Sequence, residues 1–476
     1  MGWRDFRDFL AELERRGMVR HVAGADPDLE IGTLVELMCE RMGPMLLFDE
    51  IKGFPLGYRI AGKPYATPAR AAVALGLDAT QPPLALVKAW KEKAAAYRPI
   101  PPVAVSSGVV LQNVAEDDAV DLTRFPIPRW HEGDGGRYLG TGCAVITRDP
   151  DEGWVNAGAY RCMLHDARTT GIDVAPYHHG NLHFRKWWAQ GKGCPIAVAI
   201  SPDPALFFTA SNGLPWGSSE FDFAGYIRGE PLEVVPGLKT GLPLPATAEL
   251  VFEGEVPPPE VEQRVEGPFG EFTGYYAGGE KLRPIIRVQA LYHRTDPILQ
   301  GDPPLKPPVA HWGGIASGSV QRVWQGLEKS GIPGVVGVYD TLGGEGGLVL
   351  TVAIKQQYAG HARQVGRVAS ALVHAFYHLI VVVDEDIDPS RPEDVLWAIA
   401  TRADPAVAFE IHPECPSHTL DPTLPPDKRA RNEMTTNRAV VIACRPWQWK
   451  DQFPPVSRAS DALREQTLAK WRGVFA

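Results

Sequence analysis

Residues 266–276 read EGPFGEFTGYY, a stretch in which two acidic residues are separated by glycines and a proline. Proline fixes the backbone angle φ and glycine permits positive φ, so the stretch is predicted to be a shaped loop rather than a helix or strand. Such a loop can direct Glu266 and Glu271 separately into a pocket, one as an acid and the other as an orienting group. A solvated surface turn is the alternative. The aromatic residues of the same stretch argue against full exposure, because large apolar side chains are usually buried.

The composition is that of an ordinary globular protein, with 44% hydrophobic and 22% charged residues. A length of 476 residues exceeds what one core normally supports, so two or three domains are expected. The net charge of −9, with acids and bases interspersed, disfavours nucleic acid as a partner. No apolar stretch approaches the ~18 residues of a membrane span, and the charged start MGWRDFRDFL is unlike a signal peptide. We therefore expect a cytoplasmic protein without membrane contact.

The chain divides into three regions of different sequence pattern, separated by proline-rich segments at 97–108 and 301–308. The pattern predicts an N-terminal, helix-rich α/β region over 1–105, a central region of short β-rich runs over 106–300, and a C-terminal α/β domain over 301–476. Short strands separated by turns are typical of a barrel or a mixed sheet. The predicted fold class is therefore mixed α+β.

Individual elements are predicted from apolar periodicity, turn residues and capping signals. Helices are expected near 3–13, 30–42, 68–95, 181–191, 220–228, 317–330, 360–378, 390–402 (with Ser390 as N-cap) and 458–473. Strands are expected near 143–149, 155–160, 195–201, 205–211, 248–256, 284–292, 335–340, 348–354, 379–386, 406–411 and 439–444.

The segment WVNAGAYR at 154–161 carries Asn156 and Arg161 at the end of a predicted strand. The two-residue period of a strand places them on opposite faces unless the chain turns at Gly158. Arginine is always charged, and its planar fork suits a carboxylate or a phosphate. If Arg161 meets Glu266, it can hold a substrate carboxylate while Glu266 fixes the guanidinium. A surface ion pair is the alternative.

Two further segments suggest metal ligands. PYHHGNLHF at 176–184 holds three histidines but no H-x-x-x-H helix with a partnering glutamate, the pattern of a zinc protease, so either one ligand or a set of hydrogen-bonded loop histidines is predicted. TASNGLPWGSSEFDFAG at 209–225 offers hydroxyl, amide and carbonyl oxygens and the carboxylate of Glu220, all of which hard cations prefer. The six cysteines form no C-x-x-C pair and are interpreted as reduced, mostly buried thiols rather than zinc ligands.

Taken in order, these segments resemble the UbiD family of prenylated-flavin-dependent decarboxylases. The resemblance runs over nearly the whole chain and includes LTRFPIPRWHEGDGGRY (122–138), NAGAYR (156–161), HHG (178–180), SSEFDFAGYIRGEP (218–231), EGPFGEFTGYY (266–276), VVVDEDID (381–388) and NRAVVIACRP (437–446). EGPFGE…GYY together with N-x-x-x-x-R is the specific part. The resemblance implies a central split β-barrel domain that binds prenylated FMN, and a C-terminal α/β domain with an oligomerising C-terminal helix.

The resemblance also implies the residues of the site. A catalytic triad is carried over to Arg161, Glu266 and Glu271. The ligands of a divalent metal (manganese or magnesium) that bridges to the flavin phosphate are carried over to Asn156, His179 and Glu220. A potassium site is carried over to Ala157, Ala210, Ser211 and Glu220. Further contacts to the cofactor are implied for Thr141, Ala159, Tyr160, His178 and Ser211. The chain departs from the family at Asn437-Arg438, where a Ser-Lys pair is common; Arg438 can still bind phosphate bidentately.

The resemblance thus implies a reversible, non-oxidative decarboxylase of an aromatic, heteroaromatic or α,β-unsaturated acid that works through a covalent adduct with prenylated FMN. Glu271 is the expected proton donor, and Arg161 with Glu266 orients the substrate carboxylate. The cofactor is needed because loss of CO₂ from an sp² carbon leaves a carbanion that side chains alone cannot stabilise. The loop 303–318 and the segment 447–449 are expected to complete an aromatic pocket, through His311 and Trp312 among others.

The implied partners are the acid and CO₂, a flavin prenyltransferase that supplies the cofactor, and further copies of the chain in a homodimer or larger homo-oligomer. Two other functions stay open. One is a split-barrel oxidoreductase that uses ordinary FMN, although no G-x-G-x-x-G loop is apparent. The other is a non-catalytic subunit of a carboxylase complex, against which the complete triad argues.

Overall fold

The computed structural model describes residues 2–276, 278–309, 311–342, 347–373 and 377–474, apart from the side chain of His311. Helices and strands combine in a mixed α+β architecture with several sheets, as predicted. Across the described ranges, no helix has both the length and the apolar character that a membrane crossing requires. The six cysteines are free thiols, as expected, and all but Cys415 are buried.

The N-terminal region packs helices against a small sheet. It consists of α1 (Phe6–Arg15), β1 (Val19–Ala25), α2 (Glu30–Glu40), β2 (Met45–Ile51), β3 (Arg59–Gly62), α3 (Pro68–Ala74) and α4 (Pro83–Ala95). Helix α1 is amphipathic, as predicted: Asp5 caps its first turn, and Phe6, Phe9 and Leu13 are buried. The strand order is β1-β2-β3-β16, where β16 (Ile298–Gly301) comes from the far end of the central region.

The single helix expected near 68–95 is wrong, because the structure has two helices there, α3 and α4. Pro82 and Pro83 explain the break. Proline has no N–H to continue a helix, and the residue before a proline disfavours helical backbone angles. Pro83 then occupies the first turn of α4, where no donor is needed.

The central region is built on a large, mostly antiparallel sheet. The region contains β4 (Val103–Ala104), β5 (Asn113–Glu116), β6 (Cys143–Arg148), β7 (Val155–Gly158), β8 (Leu164–Asp166), β9 (Thr169–Gly171), α5 (His179–Ala189), β10 (Cys194–Ile200), α6 (Pro204–Ser211), α7 (Glu220–Arg228), β11 (Glu233–Pro236), β12 (Pro243–Pro245), β13 (Leu250–Val256), β14 (Gln263–Glu266) and β15 (Lys281–His293). The strand order of the large sheet is β7-β6-β10-β13-β15-β9-β8, with β5 and β14 also paired to β15. Strands β10 and β13 are buried over almost their whole length, so the middle of the sheet forms the core.

The apolar run ALFFTAS at 205–211, expected as a strand, belongs to helix α6. Asp203 caps this helix by accepting the Ala205 N–H, and Pro204 occupies its first turn. Residues 204–210 are all buried, so the run has no polar face that would reveal a helical period. A short apolar run fits a buried helix and a buried strand equally well, which explains the error.

The C-terminal region is an α/β layer, as its alternating pattern predicted. Its elements are α8 (Gly318–Lys329), β17 (Val335–Leu342), β18 (Val349–Ile354), α9 (His361–Leu372), β19 (Leu379–Asp384), α10 (Pro392–Arg402), α11 (Pro405–Ala408), β20 (Phe409–Pro416), α12 (Pro426–Ala430), β21 (Thr435–Ala443) and α13 (Asp461–Lys470). The strand order is β17-β18-β19-β21-β20, and β18, β19 and β21 are parallel.

Two local predictions in this region are wrong. Ser390 does not cap α10: the N-cap residue is Arg391, and the Ser390 hydroxyl donates to a neighbouring aspartate instead. The strand expected at 406–411 begins only at Phe409, because an aspartate cap followed by a proline starts the short helix α11.

Aromatic packing joins the N-terminal and central regions. Tyr65 stacks on Trp312 with ring centroids 4.2 Å apart, and Phe208 of α6 meets the same indole edge-on at 4.9 Å. An ion pair between Arg7 of α1 and the buried Glu249 spans the same two regions at 2.8 Å. Trp312, expected in the substrate pocket, is buried in the core between these regions.

Candidate active site

Arg161, Glu266 and Glu271, far apart in sequence, meet in the central region. The Arg161 Nε donates to Glu266 Oε1 at 3.0 Å and Nη2 donates to Glu266 Oε2 at 3.2 Å, so this pair is bidentate. The Arg161 Nη1 donates to Glu271 Oε1 at 2.7 Å. The contact between Arg161 and Glu266 that the sequence suggested is therefore present, and the same guanidinium also holds the second acid.

Glu266 is the more deeply buried of the two acids. It ends strand β14, and its side chain is 1% exposed. Tyr138 donates its hydroxyl to Glu266 Oε1 at 3.0 Å, and Phe269 packs on the Tyr138 ring with centroids 4.0 Å apart. Burial, followed by the Glu266 charge, raises the pKa of Tyr138, so the phenol stays a donor. These bonds hold the Glu266 carboxylate in one orientation.

Loop 266–276 has the shape that its glycines and proline predicted. Gly267 and Gly274 adopt positive φ values of 89° and 83°, and the peptide bond before Pro268 is cis. The loop follows β14 directly, so a strand end fixes its start.

Asp134 holds the far part of this loop. This buried carboxylate accepts the Gly270 N–H at 3.4 Å and the Tyr276 hydroxyl at 3.3 Å, on either side of Glu271. The Glu271 side chain is 13% exposed, in contrast to that of Glu266. Of the two acids, Glu271 is therefore the one that a ligand can reach.

Arg161 lies just beyond strand β7, which ends at Gly158, where the sequence allowed for a turn. After the strand, Arg161 forms an isolated bridge with Asp173, whose N–H donates to the Arg161 carbonyl at 3.3 Å. Asp173 follows strand β9, so the edge of the sheet places a third acid opposite Arg161.

This third acid was not among the predicted site residues. Asp173 Oδ2 lies 2.8 Å from Arg161 Nη2, and Asp173 Oδ1 lies 3.0 Å from the Nε of Arg283 on β15. Burial lowers the pKa of Arg161, but the charges of Glu266, Asp173 and Glu271 outweigh burial and raise it overall. Arg161 therefore stays charged.

Asn156 lies on strand β7, and Glu220 contacts the same strand. Asn156 is buried, and its side-chain nitrogen has no hydrogen-bond partner among the described residues. Glu220 begins helix α7, as predicted, and its Oε2 accepts the Ala157 N–H at 2.9 Å. Burial raises the pKa of Glu220 to about 7.

His179 begins helix α5 and packs edge-on against Trp154, with ring centroids 5.2 Å apart. Burial lowers the pKa of His179, which favours the neutral imidazole that binds metals. An amide, an imidazole and a buried carboxylate are nitrogen and oxygen donors of the kind that Mn²⁺ or Mg²⁺ accepts. Among the described residues, no three His, Cys, Asp or Glu side chains are grouped as a metal site. The set Asn156, His179 and Glu220 contains only two residues of these types. The amide oxygen of the buried Asn156 and the buried Glu220 carboxylate are oxygen donors that fit a cation site.

The residues predicted to bind potassium adjoin this set. The Ala159 N–H donates to the Ala210 carbonyl at 2.9 Å, which joins the end of β7 to the last turn of α6. Ser211 ends α6, and its hydroxyl donates to the Phe207 carbonyl at 2.7 Å. Carbonyl and hydroxyl oxygens keep a free lone pair after one such bond, so these groups retain acceptors for a cation.

The three histidines of segment 176–184 have different environments. His178 packs against the Tyr160 ring with centroids 5.6 Å apart, and burial raises the pKa of Tyr160 to about 12. His183 is fully buried and bonded to Thr147 Oγ1 at 2.9 Å, and burial lowers its pKa to about 4. His183 is therefore a core histidine, whereas His178 and His179 lie next to the residues around β7.

Domain models of one family match along most of the chain. They are the 3-octaprenyl-4-hydroxybenzoate carboxy-lyase N-terminal domain at residues 10–90, the Rift-related domain at 102–307 and the C-terminal domain at 319–444. The chain belongs to the UbiD family. It is therefore an enzyme of the carboxy-lyase type, because the family consists of carboxy-lyases and its relatives are named decarboxylases.

The UbiD relatives match over almost their full length. The chain is 32% identical to the pyrrole-2-carboxylic acid decarboxylase of Pseudomonas aeruginosa, over 98% of this chain and 97% of that protein. It is 32% identical to the phenolic acid decarboxylase of Bacillus subtilis, over 89% of each. The vanillic acid decarboxylase of Sedimentibacter hydroxybenzoicus in its open form superposes with a TM-score of 0.85 at 26% identity, over 100% of both chains. The UbiD-class enzyme HmfF of Pelotomaculum thermopropionicum, solved with FMN, has a TM-score of 0.84 at 27% identity, over 98% of this chain and 100% of that one.

Arg438 is the position where this UbiD chain departs from the expected pattern. It lies buried on β21, and its Nε donates to the Tyr377 carbonyl at 2.6 Å while a terminal nitrogen donates to the Ser370 carbonyl. Two backbone carbonyls of the C-terminal region therefore hold this guanidinium. Its role in binding the flavin phosphate stays a prediction.

The remaining predicted residues lie in different surroundings. Thr141 Oγ1 accepts the Asp302 N–H at 3.0 Å, and the Asp302 carboxylate pairs with the buried Lys63 at 2.9 Å. Trp449, expected near the pocket, is exposed and stacks on Phe453 with centroids 5.2 Å apart. The side chain of His311, also expected there, lies outside the described residues.

Proposed function

We propose that this UbiD enzyme catalyses the reversible, non-oxidative decarboxylation of an aromatic, heteroaromatic or α,β-unsaturated carboxylic acid, with prenylated FMN as its cofactor. One observation carries the proposal: the Arg161 guanidinium is shared between a deeply buried acid, Glu266, and a more accessible acid, Glu271. The relatives named above support the substrate class, because pyrrole-2-carboxylic and vanillic acids are planar ring acids.

Arg161 binds the substrate carboxylate in this proposal. Its charge attracts the anion, and its planar fork matches the two carboxylate oxygens. Glu266, bonded twice to Arg161 and once to Tyr138, keeps the plane of the guanidinium fixed. Fixing the plane before the substrate arrives reduces the entropy lost on binding.

Glu271 moves the proton. The carbon that loses CO₂ must gain a proton, and in the carboxylation direction the same carbon must lose one. Glu271 lies 2.7 Å from Arg161 and is partly accessible, so it adjoins the position proposed for the substrate. Glu266 is unsuited to this role because its oxygens are bonded to Arg161 and Tyr138 in a buried setting.

The large central sheet is proposed to be the split barrel that binds the flavin. Asn156, His179 and Glu220 would hold Mn²⁺ or Mg²⁺ against the flavin phosphate. Oxygens of Ala157, Ala210, Ser211 and Glu220 would hold K⁺. Thr141, Ala159, Tyr160, His178, Ser211 and Arg438 are proposed as further cofactor contacts. When bound, prenylated FMN supplies an electron sink for the electron pair that CO₂ leaves behind. Structures of HmfF with FMN and, in an evolved dimeric form, with prFMN support this cofactor class.

We also propose the domain division 1–105, 106–300 and 301–476, a cytoplasmic location, a flavin prenyltransferase as cofactor supplier, and assembly into a homodimer or larger homo-oligomer. Helix α13 supports assembly. All of its residues are exposed, including Leu463 and Leu468, and exposed apolar side chains on one helix favour a protein partner.

The test measures CO₂ release from a panel of ring, α,β-unsaturated and aliphatic acids, using protein produced together with a flavin prenyltransferase. Release from at least one ring or α,β-unsaturated acid is expected, with a prenylated flavin mass in the purified protein. Turnover of aliphatic acids alone would contradict the proposal. Nicotinamide oxidation with ordinary FMN, without CO₂ release, would favour the oxidoreductase alternative.

A further inference from the structure

Arg161 is surrounded by more negative charge than the proposed roles of Glu266 and Glu271 explain. Three carboxylates, those of Glu266, Glu271 and Asp173, lie within 3.2 Å of its nitrogens. Arg283 is in turn paired with Asp173. When all five groups are ionised, the cluster carries a net charge of −1. An incoming carboxylate increases this excess, so the arrangement must compensate for it.

The positions of the acids on the guanidinium are informative. A guanidinium has two edges that accept a carboxylate, one formed by Nε and Nη2 and the other by Nη1 and Nη2. Glu266 occupies the first edge. On the second edge, Nη1 donates to Glu271 at 2.7 Å, and Asp173 Oδ2 lies 2.8 Å from Nη2 without an aligned hydrogen bond. A substrate carboxylate that binds both nitrogens of the second edge must therefore displace Glu271, and it competes with Asp173 for Nη2.

Arg283 is placed to take up the displaced acid. The Ile172 N–H donates to the Pro284 carbonyl at 3.0 Å, which brings β15 alongside Asp173. The Arg283 Nε lies 3.0 Å from Asp173 Oδ1, yet this buried nitrogen makes no aligned hydrogen bond with any described residue. Arg283 therefore has a donor in reserve for a carboxylate that moves toward it.

We infer that Asp173 and Arg283 form a positioning pair that controls access of the substrate carboxylate to Arg161. Before substrate binds, Asp173 Oδ2 lies 2.8 Å from Arg161 Nη2, which belongs to the second edge. When the substrate carboxylate arrives, Asp173 leaves this edge and its charge is neutralised by Arg283. The inference rests on the proposed function, because it concerns how the same site admits its substrate.

The two members of the pair should act in opposite directions. Removing the charge of Asp173 removes both a competitor for Arg161 and a source of repulsion, so an anionic ligand binds more tightly. Removing Arg283 leaves Asp173 bound to Arg161 alone, so the ligand binds more weakly. Because Arg283 acts through Asp173, its removal should have little effect once Asp173 is uncharged.

The experiment is a double-mutant cycle of Asp173→Asn and Arg283→Met in the full-length protein. KM and kcat for CO₂ release are measured together with direct binding of benzoate and pyrrole-2-carboxylate, with the two carboxamides as uncharged probes. D173N is expected to lower KM and the dissociation constants of the acids about fivefold, and R283M to raise them about five- to tenfold, the size of one partly buried charge contact. In the D173N background, R283M should change them by less than about twofold. Neither substitution should alter carboxamide binding.

The neighbouring pair Asp166 and Arg264 provides a matched control. These residues lie on β8 and β14, pair at 2.5 Å on the surface, and Arg264 is the cross-strand neighbour of Arg283. Asp166→Asn and Arg264→Met remove the same charges from the same edge of the sheet without touching Arg161. They are expected to leave KM and acid binding unchanged.

Three outcomes would overturn the inference. A rise in KM with a parallel fall in kcat in D173N would mean that Asp173 holds Arg161 in place instead of competing with substrate. Equal effects of R283M in both backgrounds would mean that Arg283 contacts the ligand directly. Failure of the wild type to distinguish acids from carboxamides would remove the basis for the pair. By contrast, tight acid binding without CO₂ release from any acid would overturn the proposed function alone, because the cycle is still measured through binding.

Discussion

The C-terminal and central regions each contain an arginine–carboxylate cluster, and the two clusters are built differently. In the C-terminal region, Arg402 is 2% exposed, donates to Asp384 at 2.9 Å and donates to both oxygens of Asp386 at 2.8 Å. Arg445 adds a second guanidinium to Asp384 at 3.2 Å. In the central region, Arg161 is 21% exposed and meets three carboxylates. The arginine at the centre of the first cluster is almost fully buried, whereas Arg161 at the centre of the second is partly exposed.

This difference separates a cluster that stabilises the fold from one that can respond to a ligand. Removing a buried arginine breaks several interactions at once, because the buried carboxylate that it held loses compensation in a dry environment. A partly exposed arginine can exchange partners at a smaller cost, because water solvates the groups that it releases. Substitutions in the C-terminal cluster should therefore lower the free energy of unfolding, and those in the central cluster should lower turnover.

The largest effect is expected for Glu271→Gln. Removing the proton donor should lower kcat by on the order of a thousandfold. The thermal midpoint should not fall, because the substitution reduces the charge excess around Arg161. CO₂ release measures proton delivery to the carbon, and exchange of the product C–H proton in D₂O measures proton removal from it. A loss of less than tenfold in both assays would show that another group moves the proton.

The next effect is expected for Arg402→Met, on stability instead of turnover. Removing the shared partner of Asp384 and Asp386 should lower the free energy of unfolding by about 3–5 kcal/mol. Arg431→Met is the control, because Arg431 pairs with Asp427 and Glu433 on the exposed surface and should contribute less than about 1 kcal/mol. Denaturant unfolding distinguishes the two variants, and kcat per folded molecule should be unchanged in both. Equal stability losses would contradict the comparison.

Tyr138→Phe tests how tightly Glu266 must be held. A hydrogen bond to a charged group contributes about 1.5–3 kcal/mol, so kcat/KM should fall roughly tenfold or more. Tyr292→Phe is the matched control, because Tyr292 also donates to a buried glutamate, Glu253, in the same sheet but outside the Arg161 cluster. The control should lose stability without losing turnover. If both variants retain full turnover, the Tyr138 hydrogen bond has no role in positioning Glu266.

The smallest effect is expected for the partly exposed ion pair between His378 and Asp421. His378 Nε2 lies 3.0 Å from Asp421 Oδ2, and this hydrogen bond raises the pKa of His378 above 6.5. The charged imidazole therefore contributes stability that is fully present below pH 6.5 and is lost as the pH rises through the folded-state pKa. The loss should not exceed about 1 kcal/mol, because the pair is partly exposed. Thermal midpoints between pH 5 and 9 should fall more steeply in the wild type than in His378→Gln, and parallel curves would exclude the contribution.

The chemical types in the site were predictable where one short segment carries several signals. Two acids on a loop of glycine and proline, and an arginine beyond a strand with a glycine, made a contact between Arg161 and Glu266 one of two alternatives, and the family resemblance implied that these residues share a site. The start of α7 at Glu220 was likewise predictable, because serines precede an apolar-periodic run.

Asp173, Arg283, Tyr138 and Asp134 were not predictable as site residues. Asp173 and Arg283 contact each other through the pairing of short strands, and register between short strands depends on packing across the whole sheet. Tyr138 and Asp134 lie in a segment that supported the family resemblance, but nothing in that segment indicates which distant loop they contact. The error at 205–211 was avoidable, because an aspartate followed by a proline is a helix-start signal that precedes the apolar run.

Strand β16 has a practical consequence for dividing the chain. It completes the N-terminal sheet by pairing in parallel with β3, although residues 63–297 lie between the two strands. A fragment that stops near residue 105 would leave β3 with an open edge, and a fragment that starts there would leave β16 without its neighbour. Recombination between relatives should therefore keep β3 and β16 in one block.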